Sequence, residues 1–211
     1  MTLQTILLFI AAYLIGAIPF SVLFGKIFYN KDIRKFGSGN AGATNTFRVL
    51  GATAGIIVLI LDIGKGMLAV LLANWITGID AASFTYYQIA LGFTAAIGHI
   101  FPVYLAFKGG KGVATLFGAV LVIFPWAALF CMITFAVVFF STRFVSLGSI
   151  SASLVFMIAI LFFDERKNQW PILFFAIAAP AIIIYTHRKN IQRLLKGTEN
   201  RISFTKKSEA K

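Results

Sequence analysis

Long apolar runs separated by short polar stretches are the main pattern of this chain. The runs occupy Leu3–Phe24, Ala52–Trp75, Phe84–Phe107, Val113–Phe140, Val145–Phe163 and Trp170–Tyr185. A helix needs about 20 apolar residues to cross a bilayer, so five of the runs fit one crossing each. The run Val113–Phe140 is too long, because a single helix would measure roughly 40 Å against a hydrocarbon core of about 30 Å.

The distribution of basic residues indicates how the long run is divided. Lysine and arginine cluster in Lys26–Arg48, at Lys108 and Lys111, at Arg143, and from His187 onward, whereas Asn74–Ser83 and Asp164–Lys167 carry no net positive charge. Basic loops favour the cytoplasmic side. A break at Phe124-Pro125 puts every basic cluster on that side. We therefore predict an all-α integral membrane protein with seven transmembrane helices, an outside N-terminus and a cytoplasmic C-terminus. The two halves of the long run are expected to be short helices shielded by their neighbours.

Composition supports this fold class. Of 211 residues, 59% are hydrophobic and 12% charged, and the mean hydropathy is +0.89. These values predict a single polytopic membrane domain over residues 1–211, with a short polar cytoplasmic tail from about 197 to 211. The apolar run at the N-terminus is longer than the core of a signal peptide, so we expect it to be retained. The net charge of +12 indicates anionic lipid rather than nucleic acid as a partner.

Three polar stretches share one predicted face of the membrane: Gly37–Gly51, Gly98–Thr115 and Thr186–Arg201. With seven spans, all three lie at the cytoplasmic ends of helices. Each contains residue types that bind oxyanions, so their convergence predicts a site on this face.

The second stretch contains Phe107-Lys-Gly-Gly-Lys-Gly-Val-Ala-Thr115. Glycines let backbone N–H groups approach a ligand, and Lys108 and Lys111 add positive charge, so the sequence suits a phosphate. A charged loop that only fixes topology would need the lysines but not Gly109, Gly110 and Gly112. The loop is not a nucleotide-binding Walker motif, because glycine rather than serine or threonine follows Lys111.

The first stretch begins with Gly37-Ser-Gly-Asn-Ala-Gly42, which matches the dinucleotide pattern G-x-G-x-x-G. The context excludes that function, because residues 30–35 do not form a buried strand and the acidic residue 20 positions on, Asp62, lies in an apolar run. Thr44, Asn45 and Arg48 instead add hydroxyl, amide and guanidinium groups, a set suited to phosphate and a polyol.

Two histidines and one buried ion pair complete the candidates. His99 either hydrogen-bonds a loop or contacts a substrate, and the sequence leaves both readings open. His187 and Asn190 lie one turn apart on a helix that leaves the membrane. Asp62 and Lys65, three residues apart within an apolar run, are expected to pair with each other in the protein interior.

Several catalytic patterns are missing from the sequence. No metal-binding His/Glu set, no acidic pair within the three polar stretches and no Gly-x-Ser-x-Gly motif occurs, and the only cysteine is Cys131, in an apolar run. The His-x₄-Asp pattern of common glycerolipid acyltransferases is absent too, since Tyr104 and Gln192 stand five residues after His99 and His187. We expect no metal and no cofactor.

The three polar stretches together resemble the signature motifs of a known family, the bacterial acyl-phosphate:glycerol-3-phosphate acyltransferases or PlsY family. The matching segments are Gly37–Asn45 with Arg48, Gly98–Thr115 and His187–Glu199. The resemblance extends in order over essentially the whole chain, including its length and predicted span number.

This resemblance implies a multi-pass enzyme of the bacterial plasma (inner) membrane whose active site faces the cytoplasm. Such enzymes transfer a fatty acyl group from acyl phosphate to the sn-1 hydroxyl of glycerol 3-phosphate, giving lysophosphatidic acid and inorganic phosphate, an early step of phospholipid biosynthesis. A soluble partner, PlsX, supplies the acyl phosphate. The implied catalytic residues are Ser38, Arg48, Lys108, His187 and Asn190, and the implied substrate-binding set adds Asn40, Thr44, Asn45, His99, Gly110, Lys111, Gly112 and Thr115.

Two other classes of function are compatible with a basic membrane protein. An anion transporter would show inverted repeats and charge near the bilayer midplane, but the two halves of this chain are not alike. A structural scaffold would leave the glycine-rich motifs unexplained.

Overall fold

The structure is a computed structural model that describes residues 2–202, apart from the side chain of Ala82. Ten α-helices follow one another: α1 (Leu3–Ala17), α2 (Phe20–Tyr29), α3 (Ala43–Leu50), α4 (Ala52–Leu71), α5 (Ala81–Ile100), α6 (Val113–Ile123), α7 (Pro125–Thr142), α8 (Val145–Phe163), α9 (Trp170–Thr186) and α10 (Arg188–Leu195). Short 3₁₀ turns occur at Ile33–Lys35, Leu72–Trp75 and Val103–Leu105. Residues 2–202 contain no β-strand, so the all-α prediction is confirmed for this part of the chain.

Helix length and composition identify the segments able to cross a membrane. Four qualify alone: α4 with its 3₁₀ extension, α5 with the turn that follows it, α7 and α8. Two bent pairs also qualify if each is counted as one span, namely α1 with α2, bent by 45°, and α9 with α10, bent by 63°. Helix α6 is apolar, but at 11 residues it does not qualify. The count of seven spans therefore stays a prediction.

The predicted break in the long apolar run is confirmed. Phe124 separates α6 from α7, and Pro125 is at the first position of α7, where its fixed φ and missing N–H favour a helix start. The expectation of two short, shielded helices holds only for α6. Helix α7 has 18 residues and exposes large apolar side chains, namely Leu129, Phe130, Met132, Ile133, Val137 and Phe140. A helix so long and apolar can face lipid and needs no shielding.

The main core surrounds α6. Phe124, Phe156 and Phe175 pack as three rings with centroid separations of 5.4 to 6.1 Å. Helix α6 also approaches α4 closely. The approach is so close that a Cβ on Gly66 or Gly118 would collide with backbone atoms of the facing helix. Small residues permit such contacts between membrane helices, where burial from water supplies little driving force.

Contacts between distant segments define two ends of the bundle. At one end, here called the motif end, they join Lys111 to Asn190, Ser146 to Glu199, and Arg143 to Ile202. At the opposite end they join Gln4 to Trp75, Tyr86 to Gln169, and Phe124 to Arg166. The motif end thus gathers the start of α6, the end of α7, the start of α8 and the end of α9.

The last described residues, 197–202, pack onto the bundle. The Ile202 amide donates to the Arg143 carbonyl at 3.0 Å, and the Arg201 guanidinium lies 5.1 Å from the centre of the Phe144 ring. The polar tail predicted from about 197 therefore begins as a docked segment. Residues 203–211, the rest of that predicted tail, lie outside the described residues.

Candidate active site

The bend between α9 and α10 brings the predicted His187/Asn190 pair to the motif end. His187 links the two helices, and the backbone amide of Asn190 donates to the His187 carbonyl at 2.8 Å. The two side chains are 2% and 8% exposed, respectively. The Nδ1 atom of His187 lies 2.8 Å from the Ile183 carbonyl oxygen. A carbonyl can only accept, so Nδ1 carries the proton and Nε2 of a neutral ring is left as an acceptor.

Asn190 lies between a cation and a carboxylate. Its Oδ1 accepts from Lys111 Nζ at 2.5 Å, and its Nδ2 donates to Glu199 Oε1 at 2.6 Å. Glu199 also accepts from Ser146 Oγ at 2.8 Å and from Arg193 Nε at 2.7 Å. These partners fix the amide orientation of Asn190, because its oxygen faces a donor and its nitrogen an acceptor.

The surroundings change the acidity of the charged groups in this cluster. Burial acts to raise the pKa of Glu199, but hydrogen bonds from Arg193, Asn190 and Ser146 outweigh it and hold that pKa below its usual range. Burial lowers the pKa of Lys111 to about 8; the Glu199 carboxylate opposes this shift, and Arg193 and Arg48 reinforce it. Lys111 is therefore a cation at neutral pH that loses its proton more easily than a surface lysine.

Arg48 brings the first polar stretch to the same cluster. Helix α3 carries this residue and packs on α4, where the lack of a side chain at Gly55 makes room for Phe47. Burial lowers the pKa of Arg48, and the Glu199 carboxylate opposes the shift. Among residues 2–202 no hydrogen-bond partner meets the buried Nε of Arg48 or the buried Oγ1 of Thr115. A guanidinium with a free donor beside Lys111 suits an oxyanion.

Ser38 is held in place by Asn45. The Ser38 amide and hydroxyl donate to Asn45 Oδ1 at 2.8 and 3.1 Å. In turn, Asn45 Nδ2 donates to the carbonyls of Ile33 and Phe36 at 2.9 and 3.2 Å. Asn45 is 1% exposed, so its contacts are internal and it orients the exposed Ser38. Direct substrate binding by Asn45 stays a prediction.

Three other predicted ligands lie next to the starts of α3 and α6. Asn40 and Thr44 are half-buried on either side of Gly42, the residue that precedes α3. Gly112 precedes α6 with φ +81°, a left-handed conformation that favours glycine.

The two lysines of the glycine-rich loop point to different places. Lys111 reaches Asn190, whereas Lys108 is exposed and lines an open groove of about 380 Å³. The other residues of the groove are Asp32, Arg34, Lys35, Gly39 and Gly109. Arg34 pairs with Asp32 at 2.6 Å, and hydrogen bonding from this arginine lowers the pKa of Asp32 to about 2. The sequence predicts that Lys108 and Lys111 bind one phosphate together. The structure instead places the two side chains in different surroundings.

The loop glycines serve packing against the end of α5. The amides of Gly109 and Gly110 donate to the carbonyls of Ile100 and His99, each at 3.1 Å. A Cβ on Gly109 would collide with the His99 carbonyl, and one on Gly110 with the His99 ring. These two N–H groups are thus already hydrogen-bonded, whereas the glycine-rich sequence predicts that they turn toward a ligand. A substrate contact of Gly110 stays a prediction.

His99 lies beneath this loop, 8% exposed. Its Nδ1 is 3.6 Å from Asp62 Oδ1, and Asp62 pairs with Lys65 at 2.8 Å. The predicted pairing of Asp62 with Lys65 is confirmed. His99 does bond the loop, but through its backbone carbonyl, which accepts from the Gly110 amide. For the His99 side chain, a loop hydrogen bond and a substrate contact both stay predictions.

Glu199, Ser146 and Arg193 were missed as site residues. Glu199 is the only acidic residue after Glu165 within the described chain and follows four basic residues of the third stretch. An isolated carboxylate among arginines and lysines is the signal that could have identified it. No group of three His, Cys, Asp or Glu side chains able to hold a metal ion occurs among residues 2–202.

The chain is similar to known glycerol-3-phosphate acyltransferases over most of its length. The sequence model of a family described as glycerol-3-phosphate acyltransferase matches residues 6–197. A glycerol-3-phosphate acyltransferase of Macrococcus caseolyticus is 48% identical over 97% of this chain and 100% of its own length. Glycerol-3-phosphate acyltransferase 2 of Bacillus anthracis is 44% identical over 94% of this chain and 100% of its own length.

Two crystal structures of PlsY (YgiH), an integral membrane glycerol 3-phosphate acyltransferase, have the same fold. The glycerol 3-phosphate form superposes with a TM-score of 0.84 at 41% identity, covering 94% of this chain and 96% of that chain. The lysophosphatidic acid form gives a TM-score of 0.81 at 40% identity, covering 94% and 95%. The chain therefore belongs to the glycerol-3-phosphate acyltransferase family of PlsY, and it is an integral membrane acyltransferase.

Proposed function

We propose that the protein transfers a fatty acyl group from acyl phosphate to the sn-1 hydroxyl of glycerol 3-phosphate, releasing lysophosphatidic acid and inorganic phosphate. Glycerol 3-phosphate as the acyl acceptor follows from the names of its relatives. The two forms in which PlsY was crystallised support glycerol 3-phosphate as substrate and lysophosphatidic acid as product. Acyl phosphate as donor follows from the resemblance in the three motifs. Its soluble source would be the partner PlsX.

The observation that carries this proposal is the meeting of Arg48, Lys111 and Asn190 at the motif end. Arg48 offers an unpaired guanidinium donor, Lys111 a cation, and Asn190 an oriented amide. Donor and acceptor both carry phosphate, and the reaction releases another. Fixed cations next to the reacting phosphate stabilise the charge that develops as it departs. Exposed Ser38, held by Asn45, adds a hydroxyl from the first polar stretch.

The chemistry needs no covalent intermediate. The sn-1 oxygen attacks the acyl carbon, the bond from that carbon to the phosphate oxygen breaks, and the phosphate leaves with the electron pair. The hydroxyl proton passes to a phosphate oxygen, and His187 Nε2 is the competing acceptor because Nδ1 is held by the Ile183 carbonyl. Holding both substrates in near-attack geometry is then the main task of the protein.

Phosphate release tests this function directly. We expect the purified protein in detergent to release inorganic phosphate from palmitoyl phosphate, with one lysophosphatidic acid formed for each phosphate, only when glycerol 3-phosphate is present. Palmitoyl-CoA serves as the matched donor without an acyl phosphate bond. Transfer from palmitoyl-CoA, and none from palmitoyl phosphate, would overturn the proposed donor.

A trapping experiment tests direct transfer. After incubation with palmitoyl phosphate alone, intact-protein mass spectrometry should show no mass increase of one palmitoyl group, and hydroxylamine should release no palmitoyl hydroxamate from the protein. A palmitoyl ester mapped to Ser38 would exclude direct transfer. The His187→Gln variant distinguishes the two proton acceptors: a loss of roughly 10²- to 10⁴-fold in kcat indicates a general base, and a smaller loss indicates the phosphate oxygen.

We further propose seven membrane crossings, with the motif end in the cytoplasm of a bacterial plasma membrane. Lys111 and Arg143, which flank α6 and α7, both lie at the motif end, while Phe124 between these helices meets Arg166 at the opposite end. A chain that leaves one end and returns to it supports two crossings, despite the length of α6, roughly 16 Å. Basic residues are concentrated at the motif end, which favours the cytoplasm.

Cysteine labelling tests this topology. Gln169 lies at the opposite end and Lys196, an exposed residue, follows α10 at the motif end. Gln169→Cys should react with an impermeant maleimide added to intact cells, and Lys196→Cys should react only after the cells are opened. The native Cys131 is buried and provides the unlabelled background. Labelling of Lys196→Cys in intact cells would contradict the orientation.

A further inference from the structure

A buried charged cluster inside the bundle has no part in the chemistry proposed above. It consists of Asp62 and Lys65 on α4 and His99 on α5, which are 2%, 4% and 8% exposed. Asp62 Oδ1 lies 2.8 Å from Lys65 Nζ and 3.6 Å from His99 Nδ1. Ionisable groups at such depth are costly even when they are paired, and apolar residues would usually be no less stable.

One contact of the cluster leads to the bend between α1 and α2. Lys65 Nζ donates to the Ile18 carbonyl at 3.0 Å, and its ammonium lies 5.7 Å from the centre of the Phe20 ring. Ile18 is the residue that follows α1, and its carbonyl also accepts from the Phe20 amide at 3.1 Å. Lys65 adds a second donor from α4 and thereby ties the bend to that helix.

The other contact leads to the glycine-rich loop. The His99 ring lies against Gly110, and the His99 carbonyl accepts from the Gly110 amide at 3.1 Å. The cavity that remains between the cluster, Ala41 and the loop is about 10 Å³, which is space for about one water molecule. The loop therefore cannot move further toward α5. The residue after Gly110 is Lys111, whose ammonium meets Asn190.

We propose that Asp62, Lys65 and His99 are positioning residues for Lys111. The Asp62 carboxylate lies beside the His99 ring at 3.6 Å, and the ring supports Gly110. This support sets how far the loop extends and whether Lys111 reaches Asn190 and the substrate phosphate. The inference rests on the proposed function in one respect, the phosphate contact of Lys111. The cluster itself exchanges no proton or phosphate with the substrates.

A pair of matched substitutions tests the contact between the ring and the loop. In His99→Asn the side-chain amide can still donate toward Asp62, but the far side of the ring, which supports Gly110, is lost. In Gly110→Ala the new methyl group collides with the His99 ring. The φ angle of Gly110 is not positive, so the backbone tolerates alanine. In the double variant, the methyl group of Gly110→Ala occupies the space that the shorter side chain of His99→Asn leaves.

Each single variant should raise KM for glycerol 3-phosphate by about tenfold or more, with a smaller change in kcat, because a displaced Lys111 weakens a charge-assisted bond whose complete loss costs roughly 10- to 150-fold. The double variant should return KM to within about threefold of wild type, since the two changes offset each other and are coupled. Gly64→Ala is the matched control, because a Cβ there meets no atom within 4 Å; its KM should be unchanged.

Calorimetric titration with glycerol 3-phosphate, without donor, gives binding independently of turnover, and a thermal unfolding midpoint in detergent reports the fold. A double variant whose KM increase is the product of the two single increases would overturn the proposal. So would single variants with wild-type KM and only a lowered unfolding temperature. If His99→Asn does not fold, the double variant Asp62→Leu/Lys65→Met replaces it, because it removes both charges together. This variant should raise KM for glycerol 3-phosphate by a similar factor. An unchanged KM in this variant would also overturn the proposal. Wild-type protein that binds no glycerol 3-phosphate would instead contradict the proposed function.

Discussion

Lys108 and Lys111 belong to one short loop, yet their surroundings differ in almost every respect. Lys111 is half-buried, lies 2.5 Å from Asn190 Oδ1 and is close enough to Glu199 for their charges to interact. Lys108 is exposed in an open groove with Arg34 and Lys35. Burial lowers the pKa of Lys111 to about 8. The same residue type in one motif therefore has two different electrostatic environments.

The difference shows how solvation changes the strength with which a charge interacts with a ligand. A charge that water surrounds interacts weakly with a ligand, because water and salt screen it, whereas a partly desolvated charge interacts several times more strongly. Lys111 has already lost part of its hydration and can interact strongly with a phosphate. Lys108 keeps its hydration, so we expect it to guide phosphate-bearing molecules to the groove more than to hold them.

The largest expected effect is the loss of the buried charge. Lys111→Met keeps the length of the side chain and removes the ammonium, so kcat/KM for glycerol 3-phosphate should fall by roughly 10- to 150-fold. Asn190 and Glu199 keep their mutual hydrogen bond, and the variant should fold normally. Lys108→Met is the matched control in the same loop. Equal losses in the two variants would remove the distinction between the two lysines.

The alkaline side of the pH profile sharpens the comparison. Lys111 is protonated below its pKa of about 8 and neutral above it, so kcat/KM should fall above pH 8, approaching tenfold per pH unit. In Lys111→Arg the charge persists far beyond this range, and the inflection near pH 8 should disappear whatever the absolute rate. Initial rates corrected for spontaneous hydrolysis of acyl phosphate measure the profile. An inflection that survives in Lys111→Arg would assign it to another group.

Sequence reasoning predicted the helices and the meeting of the polar stretches. The apolar runs and Pro125 located the break between α6 and α7, since proline lacks the N–H that a continuous helix needs. Pro19 gives the same signal, and the structure bends by 45° at that place, but the apolar pattern alone predicts one run over Leu3–Phe24. A hydrophobic pattern gives the length of a run and not its straightness.

The divergence of the two lysines could not be predicted in this way. Ala106 and Phe107 have φ angles of +49° and +62°, a conformation that such residues rarely adopt. These two residues turn the chain just before Lys108, and no turn-forming residue type marks the place. The internal role of Asn45 was hidden for a similar reason, because an asparagine that binds a substrate and one that binds its own loop look alike in a sequence.

The smallest expected effect concerns Lys108, and ionic strength distinguishes it from Lys111. An ion pair between exposed charges contributes about 0.2–1 kcal/mol of interaction energy, so Lys108→Met should reduce kcat/KM by less than about fivefold at low salt. Salt at 0.15 M shortens the Debye length to about 8 Å, and the difference between Lys108→Met and wild type should then nearly vanish. The Lys111→Met loss should persist, because a partly buried charge is screened less. Measuring kcat/KM for both variants from about 0.02 to 0.5 M sodium chloride therefore compares the two environments directly. A Lys108→Met loss that does not change with salt would mean that this lysine touches the substrate within a desolvated site, and the groove would then be part of the active site itself.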